Sequence, residues 1–180
     1  GDGVGVIVID RNERAANAEE SAWYWAESTF APDLIYNHSS PTADPWFAVS
    51  LLGRPGLPVS HAQALGVTAV AADSGEFSEL SVDLAGVTNW DGGEADHHVQ
   101  LQVNGQTVAD ERFDGAVANR FLARMPLFAD GNLDVSVVVP GDTGFAFDLN
   151  HLDAMRLRYP RQAHADGERL WIDALQSSTA

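Results

Sequence analysis

Two adjacent histidines, His97-His98, are the residues whose type most directly suggests chemistry. Imidazole ligates metals and exchanges protons near neutral pH. Successive residues of a strand point to opposite faces, so this pair cannot readily hold one ion between its rings. The expectation is a structural pair, one ring packed inward on a hydrogen bond and the other exposed. A metal role needs a partner from another strand, such as Asp96 or His151. Carboxylates gather nearby in two groups. Asp91, Glu94 and Asp96 share a loop with Gly92-Gly93, and Asp142, Asp148 and Asp153 lie near the last turns with Asn150 and His151. Calcium takes about six to eight oxygens, so these six are the candidate calcium ligands. Their spacing is not that of an EF-hand. The competing reading is that Asp and Asn at turns bond their own backbone.

The tryptophans are the second set. Sugar binding wants exposed aromatic faces beside polar hydrogen-bonders. Trp90, in a polar loop, and Trp171, opposite the core-facing residues of its strand, are the candidate ligand contacts. Trp46 sits in an apolar run and is expected in the core, and packing competes as a role for every one of them. The chain contains no G-x-S-x-G, and no spacing ties its serines to its histidines. Paired carboxylates carry no information in a chain with 26 acidic residues. Arg156, Arg158 and Arg161 form a local basic strip, suited to pairing with nearby carboxylates or to docking an acidic domain.

Composition bounds the partners. Net charge is −16, and all ten basic residues are arginine. Such a field repels phosphate backbones and anionic membrane surfaces, so neither nucleic acid nor membrane is an expected partner. Cations and basic partners fit better, and a salty medium would screen the self-repulsion. Cysteine is absent, which excludes disulfides, thiolate metal sites and a cysteine nucleophile within this chain. No run reaches the roughly 18 apolar residues of a membrane span. A start at Gly-Asp-Gly, with neither initiator methionine nor signal peptide, suggests a mature or excised segment of something longer.

The elements that must position these groups read as strands. Val99, Leu101 and Val103 alternate with Gln100, Gln102 and Asn104, and Asn104-Gly105 offers the two positive-φ residues of a type I′ turn. A hairpin therefore spans Asp96 to Gly115. Period-two runs recur at Leu80–Leu84, Leu133–Val139, Met155–Tyr159, where Pro160 closes the strand, and Leu170–Ala174. A further strand is expected at Val4–Ile9, one from Val59 through Ala69 unless its alanines make a helix, and a buried one at Trp46–Leu52. Asn37–Pro45, Gly53–Pro58 and Pro140–Gly144 are turns. Asn12–Glu27 is alanine- and glutamate-rich and reads as helix or ordered loop. Arg120–Met125 stays ambiguous. Strands separated by Gly/Pro/Asn/Asp turns, without βα alternation, predict an all-β fold. It would be a two-sheet antiparallel β-sandwich, jelly-roll or galactose-binding-like, with at most one or two short helices. One domain, 1–180, is expected: 1–36 an N-terminal strand plus an irregular or helical segment, 37–176 the main sandwich.

Several phrases taken together carry a family resemblance. They are Ala43-Asp44-Pro45-Trp46-Phe47; the D-H-H-V-Q-L-Q-V-N-G hairpin; Phe113-Asp114-Gly115; Pro140-Gly141-Asp142-Thr143-Gly144; and Leu157-Arg158-Tyr159-Pro160-Arg161. In that order, over roughly residues 40 to 175, the chain resembles the β-sandwich accessory domain beside the catalytic domain of secreted gingipain-like (C25 family) bacterial peptidases. The resemblance implies a secreted or cell-surface parent, a non-catalytic role, and neighbouring domains of the same chain as partners. The peptidase's Cys-His pair belongs to another domain and transfers to no residue here. A calcium-stabilised carbohydrate-binding module is the alternative, with a glycan or protein ligand.

Overall fold

The computed structural model describes residues 23–92, 95–166 and 169–171. The expected strand at Val4–Ile9 and the first part of Asn12–Glu27 lie outside them. From Trp23 onward that second stretch is a strand, β1 (Trp23–Phe30), rather than helix or loop. Its aromatic and β-branched residues suit a pleated surface better than a helix.

The hairpin organises the first sheet. β7 (His97–Val103) and β8 (Gln106–Phe113) pair antiparallel. Asn104 and Gly105 turn between them at φ 49° and 78°, as a type I′ turn requires. β10 (Gly131–Val139) lies against β7, and β5 (Val59–Val67) against β10, giving the order β5-β10-β7-β8.

The second sheet is built on β11 (Asp148–Gln162), with β6 (Ser78–Gly86) beside it and β9 (Ala118–Met125) beyond. The other edge of β11 is shared end to end: β4 (Val49–Gly53) pairs with Asp148–Leu152, and β1 with Met155–Gln162. From β4 to β11 the chain changes sheet at every step except the hairpin, the alternation of a jelly roll. Two short ribbons complete the chain: β2 (Ile35–Tyr36) with β3 (Trp46–Phe47), and β12 (His164–Asp166) with β13 (Arg169–Trp171). One 3-10 turn, Ala72–Ser74, is the helical element among the described residues. No helix there is long and apolar enough to cross a membrane. The protein is an antiparallel β-sandwich.

Period-two alternation sorts the side chains. Leu80, Val82 and Leu84 meet Val99, Leu101 and Val103 across the sandwich, with Phe121, Val135, Val137, Met155 and Leu157. Each such burial contributes about 1.5–3 kcal/mol of transfer free energy. Arg120–Met125 resolves as strand because Phe121, Ala123 and Met125 face this core. The Trp46–Leu52 run splits into β3 and β4, and its alternation corrects the expectation for Trp46. Phe47 and Leu51 are buried, whereas Trp46 is 41% exposed.

Pro160 does not close β11, which continues to Gln162. Its carbonyl accepts from Ala71 N–H, on the side where β6 has already ended, so no ladder donor is missed. β5 ends at Val67, before Ala69. Ala69 takes a left-handed φ of 52°, and the Asp130 carboxylate accepts the N–H groups of Ala69 and Val70, each at 2.9 Å. Those two bonds, Val70's first, hold the Asp130 carboxyl below its usual range.

Candidate functional site

The start of the hairpin carries the densest polar network. His97 is fully buried. Its Nδ1 lies 2.7 Å from Asp148 Oδ1 and its Nε2 3.1 Å from the Thr88 carbonyl. Both ring nitrogens thus face oxygen acceptors. Phe113 stacks on the ring at 4.5 Å. Gly86 clears the space, since a Cβ there would come 2.6 Å from His97 Nε2. Asp148, also fully buried, accepts in addition from Asn150 Nδ2 at 2.7 Å and from His98 N–H at 2.9 Å.

His98 points the other way and is also buried, at 6% exposure, where one exposed ring of the pair had been expected. Two carboxylates clamp it, Asp142 at 2.6 Å from Nδ1 and Asp110 at 2.8 Å from Nε2. They cover the ring that the pleat turns outward. Arg112 bonds Asp142 at 3.1 Å, and Gln100 donates to Asp110 at 2.9 Å. The hydrogen bond from His98 holds Asp110 below its usual value. At Asp142 burial pushes the carboxyl up, but the His98 hydrogen bond and the His98 and Arg112 charges outweigh it.

The five described candidate calcium ligands are therefore dispersed. Asp96, fully buried, accepts from Trp90 N–H and Gly115 N–H at 3.1 Å and so ties the loop to the hairpin's far end. Asp142 and Asp148 serve the two histidines. Asp91 is exposed in the loop, Glu94 lies outside the described residues, and Asp153 stands apart on β11. Among the described residues no three His, Asp or Glu side chains converge as a metal would require.

The aromatic candidates are placed as follows. Trp90 donates from Nε1 to the Phe147 carbonyl at 3.0 Å and stacks on Phe145 at 6.0 Å, so much of its surface is already used. Trp171 falls in β13, in backbone register with His164. A pair that the sequence did not suggest lies on the β2–β3 ribbon. Tyr36 and Trp46 meet edge-on at 5.2 Å, with Tyr36 60% exposed. Their cross-strand register brings them together, and residues ten apart across an irregular loop give no periodic signal.

The outer face of the β11 sheet gathers arginines. Arg120 and Arg156 both bind Asp83, Arg158 approaches Glu79 at 3.5 Å and covers the Trp25 ring at 4.3 Å, and Arg124 covers Phe77 at 4.4 Å. Burial pushes Asp83 up, but the two guanidinium groups win and hold it below its usual value. The predicted pairing of Arg156 and Arg158 with carboxylates is present.

Beside this face is a cleft of about 340 Å³ lined by Thr42, Phe47, Asp83, Leu84, Ala118, Asn119, Arg120 and Asp153. The β11–β6 register shifts between Leu152 and Ala154, so Asp153 has no partner on β6 and is turned out at a bulge. Asp153 accepts no hydrogen bond from any described residue. Burial first, then the charges of Asp83, Asp44 and Asp33, push its carboxyl up against the opposing charge of Arg156.

A scan against protein-family models and a search of curated proteins each found no match. Among solved structures the chain is similar to dimeric latent PorU from Porphyromonas gingivalis, with TM-score 0.62 and 14% identity over 85% of this chain. It spans 14% of the length of that PorU chain. It is also similar to the CBM36-1 domain of a multidomain xylanase from the hindgut metagenome of Trinervitermes trinervoides (TM-score 0.44, 16% identity, 80% of this chain and 99% of that one). A third is TmCBM61 in complex with β-1,4-galactotriose (TM-score 0.46, 16% identity, 77% of this chain and 89% of that one). At these identities the likeness to PorU is one of fold.

Proposed function

We propose that this chain is a non-catalytic β-sandwich module of a larger secreted protein of gingipain-like peptidase type, packing against or orienting the catalytic domain or its substrate. The observation that carries the reading is the fold likeness to a small part of a PorU chain, in the direction to which the phrases from Ala43-Asp44-Pro45-Trp46-Phe47 to Tyr159-Pro160-Arg161 also point. The adjacent histidine pair supports it. His97 and His98 are buried with every ring nitrogen engaged, by oxygens and, at His98 Nδ1, by Arg112 as well, which leaves neither ring a free nitrogen to take a proton from a nucleophile. The test is the coding sequence downstream of Ala180. A caspase-like α/β domain with a His-Cys pair is expected there, and deleting the module should impair that domain's secretion or activity. A reading frame without a hydrolase domain, or hydrolysis by this chain alone, overturns the proposal.

A glycan-binding module is the second reading, favoured by the exposed Tyr36–Trp46 pair beside the polar Asn37–Asp44 loop. Oligosaccharide binding lost in Trp46→Ala would support it. Loss in Trp90→Ala or Trp171→Ala instead would move the site to those rings. Calcium belongs to this reading, and a melting temperature that rises at millimolar calcium and falls back with chelator is its measure.

A further inference from the structure

We propose that the cleft beside the β11 bulge binds an organic cation, the guanidinium or ammonium end of an arginine or lysine side chain presented by a partner polypeptide. The cleft's volume, about 340 Å³, is at the low end for ligand pockets and suits one side chain rather than an extended ligand. Its lining divides in two. Ala118, exposed at the start of β9, offers apolar surface for an aliphatic stem, above the buried side chains of Phe47 and Leu84. Asp153 offers the charged end, and Arg120, the cation of the lining, is drawn onto Asp83. Asp83, the other carboxylate in the lining, is already held by Arg120 and Arg156, whereas Asp153 is partly buried with no hydrogen bond from any described residue. A donor cation would supply the missing bond and relieve the charges of Asp44 and Asp33, which act on the same group.

The same lining argues against other ligands. One carboxylate without a hydrogen bond is too few for calcium, which wants about six to eight oxygens. The one aromatic ring in the lining, Phe47, is 1% exposed and offers no face for a sugar to stack on. A polypeptide rather than a free small cation is favoured by the charge of −16, which steers basic segments toward the molecule. The proposal concerns this chain's own surface and stands or falls separately from the peptidase reading.

The test is titration of the folded 180-residue chain with the capped tripeptide Gly-Arg-Gly, its citrulline counterpart, propylguanidine and xylotriose, followed by amide resonances. The arginine peptide should move the resonances of Ala118, Asn119 and Asp153, and added salt should weaken the effect. Asp153→Asn, which preserves side-chain shape, should reduce affinity by about tenfold or more. Ala118→Trp should block the cleft without changing charge, and unchanged circular dichroism would show both variants folded. The citrulline peptide and xylotriose should leave those resonances unmoved. Equal shifts from either neutral probe, undiminished binding by Asp153→Asn, or no binding of the arginine peptide would overturn the proposal. Propylguanidine, with the same single charge, binding as tightly as the peptide would overturn the choice of a polypeptide partner.

Discussion

His97 and Asp148 show how one buried pair can hold three parts of a chain. The carboxylate takes the imidazole and the His98 N–H of β7 and the amide of Asn150 on its own strand, and the imidazole reaches on to the Thr88 carbonyl after β6. Asp148→Ala leaves those donors buried and unmet and should cost about 3–5 kcal/mol, read from urea denaturation. Asp110→Asn, at the exposed end of the His98 clamp, should cost far less. His151 is a different case. Its ring packs on Phe47 at 5.1 Å and its buried Nδ1 has no partner. Burial holds His151, and likewise His61, below the ordinary histidine value of about 6.5. The unfolded chain therefore binds more protons on the acid side. Stability from these two rings is whole above that value and is lost as pH falls through it. His151→Leu should keep the urea midpoint near its parent value at about pH 8 and reduce its decline between about pH 7 and 5. At this scale the residue types flagged in the sequence were the right ones to watch, but not their partners. Asp96, Asp142 and Asp148 each bind a nitrogen that lies elsewhere in the chain or at its own loop's far end, and spacing along a chain carries no such distance.

Among elements, the hairpin was legible because both of its signals are local: a period of two and an Asn-Gly turn. The bulge that turns out Asp153 was not, because a bulge is a mismatch between two strands and the β6 partner lies some 70 residues away in sequence. β1 was misread as helix or loop for a related reason. Only Trp23–Glu27 of the Asn12–Glu27 stretch falls in β1, and those residues are fixed as strand by pairing with β11. Two turn glycines separate local strain from packing. Gly105 and Gly141 have φ of 78° and 71°, yet a Cβ at Gly105 meets nothing within 4 Å, while one at Gly141 would press into the Arg54 backbone, with its nitrogen at 2.6 Å. Gly105→Ala should cost about 1–2 kcal/mol. Gly141→Ala should cost about 1–3 kcal/mol more, since it adds a clash with main chain that cannot rotate away. Thermal unfolding of the two variants side by side checks the difference.

For the molecule as a whole, charge is the governing quantity. At −16 the folded chain repels itself, so melting temperature should rise as sodium chloride goes from about 0.05 to about 0.5 M. A flat or falling curve would mean that ion pairs such as Asp83 with Arg120 and Arg156 outweigh the repulsion. The all-β class and the two-sheet design were readable from the chain alone. Alternation of Leu80-Val82-Leu84 or Val99-Leu101-Val103 marks which face of each strand must leave water, and two such faces stacked make a sandwich. Composition likewise left the chain without a thiol and gave it a field that repels phosphate backbones. Only the tertiary structure decided which carboxylate was left without a bond. Asp83, Asp142, Asp148 and Asp153 are equivalent letters in a sequence. Three find a guanidinium or an imidazole from a distant strand, and one does not, because hydrogen bonds are settled by distances of about 3 Å in space.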